Sequence, residues 1–489
     1  MTDLLPIDLR IPPAGSGQLL REIHGQLRGA ILDGRLAPGF RLPPTRSFAE
    51  AYGVSRNTVA AAYEMLASEG HLEARVGSGN YVAAARARPR QRAAAAPALA
   101  ARLQPAWRGL AAPAEPAAAP LRADFRLGVP DVSQLDLAVW RQLTGRALRD
   151  AVRARKGYLA PEGEEALRGA IAGHVAFSRA VACTPPQVVV TAGAQQAFDL
   201  LARLFVQPGK TVVAMEEPGY TPARRAFEAA GARIAPVPVD AEGIRVERIP
   251  AGAALVYVTP SHQFPLGCVL SAQRRAQLLA LAERRNMLVV EDDYDGEFRF
   301  GGRPLDALQT LDRAGRVFYV GTFSKSLSPV LRMGYLVAPE WAVAPLAEAK
   351  RLADGFCNPL AQLALAAFIA EGGLARHLRR MQRVYAKRRA LLLEGLRDAL
   401  GAWLLPVPGE AGLHLAAWAV PGFDAQRFVA ELRQAGVGVY RAAEYLHGTT
   451  GEEALLFGYG DLGEAGIAAG LQAMRELARR QAKPKRMAR

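Results

Sequence analysis

The sequence places a lysine directly after an apolar run and among small hydroxyl residues. Residues 316–322, RVFYVGT, lead into the tetrapeptide FSKS, which contains Lys325. Burial lowers the pKa of an amine and frees its lone pair, which suits imine chemistry. Arg332, a little further along the chain, offers a fixed cation for a phosphate. An SxK pattern is common. Considered without the other motifs, this segment could also contain an ordinary exposed lysine without a chemical role.

Three further segments favour a chemical role for Lys325. VVEDDY, residues 289–294, ends an apolar run in carboxylates, and an aspartate there could pair with a protonated pyridine nitrogen. VTAGAQQ, residues 190–196, passes from strand to helix, so its free backbone amides could hold an anion. EPGY, residues 217–220, places an aromatic ring after another strand, where it could stack on a cofactor.

These segments belong to a regular alternation of strands and helices. Apolar runs predict buried strands at residues 188–192, 211–215, 254–260, 287–292 and 316–322. Amphipathic stretches predict helices at residues 196–205, 272–285 and 374–400. Such an alternation predicts an α/β domain with a mostly parallel sheet and helices on both faces.

Over residues 124–475 the chain resembles the fold-type-I aminotransferases, in which these four motifs occur in the same order. The resemblance implies pyridoxal 5'-phosphate (PLP) as the cofactor and a small C-terminal α+β subdomain. It implies Lys325 as the Schiff-base lysine and Asp292 as the partner of the pyridine nitrogen. The other contacts that it implies are a ring hydrogen bond from Tyr294, stacking by Tyr220, phosphate binding by Ala194, Gln195, Thr322, Ser324 and Arg332, and a contact from Tyr158 to the neighbouring subunit's phosphate.

The chain departs from the aminotransferase pattern at two places. Phe264 stands where those enzymes have an asparagine that binds the ring oxygen; His262 or Gln263 could substitute, or both could be ordinary loop residues. An arginine that holds the substrate carboxylate usually precedes a turn such as FGYG, residues 457–460, but here Leu456 precedes it. Arg441 is a nearby candidate for binding an effector carboxylate. Efficient turnover of an amino acid is therefore in doubt.

A separate unit of about 80 residues precedes this domain. Residues 18–33 carry an apolar helical stripe. Thr45 and Ser55 could cap two short helices, at residues 46–52 and 56–69, and Gly53 permits a tight turn between them. Residues 71–74 and 80–83 then flank RVGSG as a β-hairpin. The pattern predicts a helix-turn-helix with a wing.

This unit resembles the winged-helix domain of the GntR regulator family. The matching residues are Leu42, Pro43, Arg46, Val54 to Val59, Ala62, Tyr63, Leu66, Glu69 and Gly70. The resemblance implies DNA contacts from Arg46, Ser55, Arg56, Asn57 and Thr58 at the start of the recognition helix, and from Gly77 at the wing tip. Helix N-termini attract phosphate, and arginine binds guanine edges or phosphate. Each arginine could also be a solvated surface charge, and Ser55 and Thr58 could serve only as caps.

The formal charge of +15 is unevenly distributed. Residues 1–82 are formally neutral, whereas residues 83–122 and 475–489 each carry +6. The first of these basic segments is rich in Ala, Pro and Arg and predicts a linker. We therefore expect a DNA-binding domain at 1–82, a linker at 83–122, a PLP-binding effector domain at 123–475 and a basic tail at 476–489.

Cysteine spacing and hydropathy narrow the possible classes of protein. The three cysteines, Cys183, Cys268 and Cys357, are widely spaced and predict neither a disulfide framework nor a CxxC metal pair, so no metal is expected. No run of about 18 apolar residues suggests a membrane helix, and the N-terminus does not read as a secretory leader. These features favour a cytoplasmic protein without a membrane partner.

The order of winged helix, linker and aminotransferase-like body resembles the MocR/GabR subfamily of GntR regulators. That resemblance implies a DNA-binding transcriptional regulator whose PLP-bearing domain senses an amine, an amino acid or PLP through the imine at Lys325. It implies a homodimer that binds an operator with two half-sites. Two alternatives stay open: a working PLP-dependent aminotransferase with an appended DNA-binding domain, and a DNA-binding scaffold that has lost PLP.

Overall fold

The computed structural model describes residues 19–75, 78–83, 121–154, 157–301, 306–407, 409–448 and 452–480, with isolated positions between 5 and 11 and between 102 and 107. The chain divides into two compact units, Met1–Arg102 and Leu103–Arg489. Most of the predicted linker and residues 481–489 of the predicted tail lie outside the described residues, so both assignments stay predictions. None of the described helices is long and apolar enough to cross a membrane.

The N-terminal unit is a three-helix winged helix-turn-helix, as predicted. Its elements are α1 (Leu19–Leu32), α2 (Thr45–Tyr52), α3 (Arg56–Ser68), β1 (Leu72–Arg75) and β2 (Gly79–Val82). Ser55 caps α3, because its side chain accepts a hydrogen bond from the Thr58 backbone N–H at 3.1 Å. Gly53 ends α2 in the left-handed region, with φ of 65°, which makes the tight turn.

The large unit is built on an eight-stranded sheet. Its strands are β4 (Val188–Thr191), β5 (Val212–Glu217), β6 (Arg233–Asp240), β7 (Gly243–Ile244), β8 (Ala253–Val258), β9 (Leu288–Asp293), β10 (Val317–Thr322) and β11 (Gly334–Val337). The strand order is β4-β11-β10-β9-β8-β5-β6-β7, and β11 and β7 run antiparallel to their neighbours. The central strands are runs of buried Val, Leu and Tyr, as expected where helices cover both faces.

Helices surround this sheet in the large unit. They are α4 (Leu137–Ala154), α5 (Glu165–Arg179), α6 (Ala194–Phe205), α7 (Thr221–Ala229), α8 (Ala272–Arg284), α9 (Leu308–Leu311), α10 (Phe323–Ser326), α11 (Glu340–Asp354) and α12 (Pro359–Ala370). Separate apolar clusters lie on the two faces of the sheet, one centred on Val188, Val190 and Tyr319 and the other on Val189, Phe198 and Phe318. Alternate side chains of one strand therefore pack into the cores on opposite faces of the sheet.

A smaller α+β subdomain forms the C-terminal part of the chain, as the family resemblance implied. It contains α13 (Gly373–Leu400), β12 (Leu404–Pro406), β13 (His414–Ala419), α14 (Ala425–Gln434), β14 (Val437–Gly438), β15 (Tyr440–Arg441), β16 (Ala454–Gly458) and α15 (Glu464–Ala478). Four of its strands form an antiparallel sheet in the order β12-β13-β16-β15. The short strand β3 (Ala123–Asp124) pairs with β14, which joins the start of the large unit to this subdomain.

Parallel pairing fixes where the functional side chains gather. Strands β5, β8, β9 and β10 run parallel in one sheet, so their carboxyl ends lie along one edge. Asp292 lies at the end of β9, and Tyr220 and Lys325 follow β5 and β10 at that edge. Ligands of open α/β sheets bind there, because the loops leave the strands at that side.

At Gly334, β11 passes close to the start of α6, and a substitution there tests how close the two elements are. A Cβ atom at Gly334 would lie 2.8 Å from the Gly193 carbonyl carbon and 3.0 Å from the Ala194 backbone nitrogen. We expect Gly334→Ala to lower the free energy of unfolding by about 1–3 kcal/mol, because backbone atoms must shift. Gly169→Ala is the matched control: a Cβ there meets nothing within 4 Å, and alanine favours helix α5. Equal urea midpoints for the two variants would contradict the close approach.

Candidate cofactor site and DNA-binding face

Lys325 lies in the one-turn helix α10, directly after β10. The Thr322 hydroxyl accepts a hydrogen bond from the Ser324 backbone N–H at 3.1 Å, which starts the turn that presents the lysine. Lys325 Nζ donates to the Gly128 carbonyl oxygen at 2.6 Å. Burial lowers the pKa of Lys325, although the charges of Asp295 and Asp292 oppose that shift. The amine is therefore shifted toward the neutral form that imine formation requires.

Asp292 lies at the end of β9 and is almost fully buried. One carboxylate oxygen, Oδ2, accepts a hydrogen bond from the Tyr257 hydroxyl at 2.6 Å. The other oxygen, Oδ1, has no hydrogen-bond partner. Burial raises the pKa of Asp292 to about 7, against the effect of the Tyr257 hydrogen bond. A buried carboxylate with one unpartnered oxygen calls for a cationic donor.

The start of α6 and Arg332 form an anion cradle. Gly193 precedes the helix with φ of 83°, and the first amides of α6 lie at Ala194 and Gln195. Arg332 holds a left-handed backbone conformation, with φ of 50°, and its Nη2 donates to the Ala192 carbonyl at 2.9 Å. The guanidinium lies beside Gly193, because a Cβ there would be 3.6 Å from Nη1. A helix N-terminus with an adjacent arginine suits a phosphate.

These groups line one cavity of about 390 Å³. The predicted cofactor residues that the structure brings together there are Lys325, Asp292, Tyr294, Tyr220, Ala194, Gln195, Thr322, Ser324 and Arg332. Tyr220 and Phe264 meet edge to face in its wall, with ring centroids 5.2 Å apart. The four separated sequence motifs therefore meet around a single cavity.

Three predicted residues are not among those that line this cavity. Tyr158 is 95% exposed, with its ring 6.2 Å from that of Phe356. Arg441 is bound to Glu453, with Nε and Nη2 donating at 2.8 and 2.7 Å, so it is already paired with a carboxylate. His262 is buried behind Tyr294, where its Nδ1 lies 3.0 Å from the phenol oxygen.

Sequence reasoning missed part of the cavity wall. Gly128 accepts the hydrogen bond from Lys325, and a Cβ at Gly128 would lie 2.9 Å from Nζ, so a side chain there would displace the end of the lysine. The glycine in the LGVP segment, residues 127–130, was the available signal. Tyr445 also lines the cavity, with its ring 5.0 Å from that of Phe264. Nothing in the local sequence of Tyr445 marks it.

One cluster of potential metal ligands occurs among the described residues. It consists of His262, Asp295 and His414, whose ligand atoms lie within 4.8 Å of one another. His262 Nδ1 lies 3.0 Å from Asp295 Oδ2, so two members already hydrogen-bond each other. The cluster thus contains a hydrogen-bonded His–Asp pair, and the expectation that no metal binds stays a prediction.

The N-terminal unit exposes the start of α3. Arg56 and Asn57 are exposed, and neither makes an ion pair or side-chain hydrogen bond within the described part of the chain. Arg46 is also exposed but pairs with Glu50 at 3.1 Å. Ser55 and Thr58 hydrogen-bond each other through their hydroxyls at 2.8 Å, and Ser55 also caps α3 through the Thr58 backbone N–H. Gly77 lies outside the described residues.

The wing adds two basic residues that sequence reasoning missed. Arg75 lies over the ring of Tyr81, with its guanidinium carbon 4.5 Å from the ring centroid. Arg41 pairs with Tyr81 through an isolated β-bridge, and its guanidinium lies beside Gly79. Arg41 stands far from the wing in sequence, so only the fold brings it to the hairpin.

Comparisons with known proteins agree with both halves of this description. A family model described as "Aminotransferase class I and II" matches residues 124–449, and one described as "Bacterial regulatory proteins, gntR family" matches residues 19–82. The chain is 41% identical over 415 residues to the probable rhizopine catabolism regulatory protein MocR of Rhizobium meliloti, with 81% of each chain covered. It is 32% identical to the HTH-type pyridoxine biosynthesis transcriptional regulator PdxR of Corynebacterium glutamicum, covering 93% of this chain and 94% of that protein.

Among solved structures, the large unit resembles LysN, the α-aminoadipate aminotransferase of Thermus thermophilus, which was crystallised with N-(5'-phosphopyridoxyl)-L-leucine. The TM-score is 0.67 at 28% sequence identity, and the match covers 73% of this chain and 92% of LysN. The fold and cavity thus define a winged-helix protein joined to a domain of the class I and II aminotransferase type, whose members use PLP. The chain belongs to the MocR-type transcriptional regulators of the GntR family.

The residues present fit PLP on structural grounds. The unpartnered Asp292 Oδ1 suits a protonated pyridine nitrogen, and Lys325 is an amine of lowered pKa in the same cavity. The cradle of α6 and Arg332 suits the phosphate. Bound there, PLP would supply an aldehyde for covalent attachment and a ring that withdraws electrons.

The buried carboxyl of Asp292 makes the stability of the cofactor-free protein depend on pH. Its pKa of about 7 lies above the ordinary value of 3.8, so the folded state binds the proton more tightly than the unfolded state. Stability from this group is present below pH 3.8 and is lost as the pH rises through 7. We therefore expect Asp292→Asn to flatten the decline in unfolding free energy between about pH 4 and 8, measured by urea denaturation without PLP.

The same variant should weaken PLP binding by roughly 10- to 100-fold, the effect of losing a hydrogen bond between charged groups. Glu216→Gln is the matched control, because burial also raises the pKa of Glu216 to about 7, yet this residue does not line the cavity. It should flatten the pH dependence and leave PLP affinity unchanged. Unaltered PLP affinity in Asp292→Asn would contradict the assignment of the pyridine partner.

Proposed function

We propose that this protein regulates transcription as a homodimer that binds an operator with two half-sites and holds PLP at Lys325. A small amine or amino acid, or PLP itself, would be the signal, and the protein would act in the cytoplasm. The observation that carries the proposal is the combination in one chain of an exposed recognition-helix start and a cavity in which Lys325, Asp292 and an anion cradle converge.

The assignment of DNA contacts rests on exposure and helix geometry. Arg56 and Asn57 stand in the first turn of α3, directly after the Ser55 cap, and both are exposed. A helix of this kind enters the major groove with its N-terminal residues toward the base edges. Arg41 and Arg75 on the wing, with Gly77 at its predicted tip, would add phosphate or minor-groove contacts.

The arginines of the cavity favour a sensing role over catalytic turnover of amino acids. Arg332 is the only arginine among the described residues that line it, and Arg332 belongs to the phosphate cradle. Arg441, the candidate for an effector carboxylate, is paired with Glu453. The described residues thus place Lys325 in the cavity without a second arginine beside Arg332, which suits recognition of an amine more than catalysis on amino acids.

The homodimer is supported by apolar surface on the large unit. Leu137 and Val152 on α4 are each 75% exposed, and Val330, next to the cradle, is also exposed. A contiguous patch of such side chains marks a protein contact surface, and we propose that α4 contributes one. Tyr158, which does not reach the cavity of its own chain, would contact the phosphate bound by the partner subunit.

Arg56 provides the test of DNA binding. We expect Arg56→Ala to weaken binding to a DNA fragment from upstream of the protein's own gene by about 1–3 kcal/mol, because one charged contact is lost. If Arg56 contacts phosphate, the slope of log affinity against log salt should fall by about one. Fluorescence anisotropy over a series of salt concentrations measures both quantities.

Arg21→Ala is the matched control for that experiment. Arg21 is an exposed arginine on α1, so its removal changes the charge of the unit equally but leaves the recognition helix intact. Its affinity should stay within about twofold of the wild type, as expected for a surface change. Equal affinities and salt slopes for Arg56→Ala and the wild type would remove Arg56 from the interface.

Lys325 provides the test of cofactor attachment. After incubation with PLP and reduction with borohydride, the wild type should gain the mass of one phosphopyridoxyl group per chain, and Lys325→Ala should gain none. Lys387→Ala, which changes an exposed lysine paired with Glu464, should be labelled like the wild type. A wild type that stays colourless and unlabelled would instead support the DNA-binding scaffold without PLP.

The same variants separate sensing from turnover. Small primary amines should shift the operator affinity of the wild type and leave that of Lys325→Ala unchanged, because a signal must bind one state more strongly than the other. Incubation with an amino acid and a 2-oxo acid distinguishes the alternative. Repeated turnovers at ordinary enzyme rates, about 1 s⁻¹ or faster, would identify an active aminotransferase instead of a pure sensor.

A further inference from the structure

We propose that His262 and Asp295 form a buried pair that positions the Tyr294 phenol toward the cofactor ring. This inference deepens the proposed function and rests on its assignment of PLP to the cavity. It replaces the expectation that His262 itself contacts the ring, because His262 does not line the cavity, whereas Tyr294 does. His262 and Asp295 are therefore positioning residues.

The contacts form a continuous chain from Asp295 to the cavity. His262 Nδ1 lies 3.0 Å from Asp295 Oδ2 and 3.2 Å from Oδ1. The same nitrogen lies 3.0 Å from the Tyr294 phenol oxygen. The Tyr294 hydroxyl also lies 2.9 Å from the His262 carbonyl oxygen, to which it donates. Backbone and ring of one histidine thus hold one phenol at two points.

The hydrogen-bonding capacities of these groups determine which of them donates and which accepts. An ionised Asp295 only accepts, so Nδ1 of His262 must carry a proton and donate. That N–H is shared between Asp295 and the Tyr294 oxygen, which leaves the phenol its own proton to donate. Burial, with the charge of Asp295 second, raises the pKa of Tyr294 well above its ordinary value, so the phenol keeps this proton. The hydroxyl can rotate from the His262 carbonyl to a ring oxygen.

The surrounding backbone is shaped around the imidazole. A Cβ at Gly412 would collide with His262 Cε1 and would lie 2.6 Å from Asp295 Oδ2. A Cβ at Gly267 would lie 3.1 Å from His262 Nε2. Both glycines have positive φ, at 80° and 78°. Asp295 is further held by the Leu413 backbone N–H, at 3.2 Å from Oδ2. The histidine therefore occupies one fixed orientation.

Phe264 explains why the position of Tyr294 matters in this chain. Phe264 lines the cavity with its ring 6.0 Å from that of Tyr294, and its side chain has no hydrogen-bond donor. A ring oxygen therefore gains nothing from Phe264, and its hydrogen bonding depends more heavily on the Tyr294 hydroxyl. Small changes in the position of this phenol should consequently alter the bound cofactor.

The readout is the pH titration of the visible absorption band of lysine-bound PLP. A phenol that donates to the ring oxygen stabilises its negative charge, most strongly when the attached nitrogen has lost its proton, so the donor lowers the apparent pKa of the band. We expect Tyr294→Phe to raise that pKa by about one unit. His262→Phe keeps an aromatic ring at this position but removes the N–H donor, and it should also raise the apparent pKa of the band. Asp292 and Lys325 line the cavity beside Tyr294. The other titratable groups near Tyr294 and Lys325, which lie outside the cavity and whose titration must also be followed in each variant, are Asp293, Asp295, Glu216, His262 and His414.

A second substitution separates positioning from packing. His262→Asn retains a side-chain N–H near the place of Nδ1, so it should return the pKa toward the wild-type value. The double variant His262→Phe with Tyr294→Phe should match Tyr294→Phe alone, because both changes act through one hydroxyl. Asp295→Asn should shift the pKa in the same direction as His262→Phe, and it keeps the test decisive if His262→Phe does not fold.

His414→Phe is the matched control. His414 is a buried histidine whose ring centroid lies 4.5 Å from that of His262, but its Nε2 bonds to the Pro265 carbonyl and not to Tyr294. It should leave the pKa unchanged. A wild-type pKa in His262→Phe or Asp295→Asn, or an unchanged shift from His262→Phe in the Tyr294→Phe background, would overturn the proposal. A wild type without a visible band would instead contradict the proposed function.

Discussion

The large unit depends on one electrostatic constraint, the burial of the Asp292 carboxylate with only one of its two oxygens satisfied. Tyr257 bonds Oδ2, and Oδ1 has no partner. Burying a charge is costly unless it is paired, which is why the pKa of this carboxyl rises to about 7. A pyridinium nitrogen would remove that cost, so the fold stores in its cofactor-free state a free energy that favours PLP. The unpaired carboxylate oxygen thus lowers the stability of the cofactor-free protein at a site proposed to bind PLP.

The same logic extends to the carboxylates that surround Asp292. Glu291 and Asp293, its neighbours on β9, are also buried, and each accepts hydrogen bonds from the chain itself. Glu291 accepts from the Leu308 backbone at 2.7 Å, and Asp293 accepts from Arg179 and Tyr319. Asp295 is paired with His262. Asp293 Oδ1, like Asp292 Oδ1, has no hydrogen-bond partner among the described residues. Of these four carboxylates only Asp292 lines the cavity, so only its unpartnered oxygen is open to a ligand there.

The residues at the ends of strands could be predicted from the sequence, because local pattern decides them. The apolar runs before Asp292 and Lys325 specify buried parallel strands, and parallel strands bring their carboxyl ends together whatever the distance in sequence. The caps at Ser55 and the start of α6 are likewise local. The partners of polar side chains lie far apart in sequence and could not be predicted: nothing near Arg441 indicates that Glu453 lies opposite, across β15 and the loop before β16. Gly412 leaves room for His262 only because the fold brings the start of β13 against the segment around Pro265.

The charge distribution suggests that DNA affinity and DNA-sequence selectivity come from different parts of the chain. The winged helix is formally neutral, so on the proposed contacts its preference for one DNA site would come from a few side chains at the start of α3 and on the wing. The basic segments at 83–122 and 475–489 carry most of the excess charge and can contribute phosphate attraction that is the same for every sequence and decreases steeply with salt. One basic segment directly follows the winged helix, and the other ends the effector domain. A signal that moved either segment away from DNA would lower affinity without altering which bases are recognised, so occupancy of the Lys325 cavity need not deform α3 to control the operator.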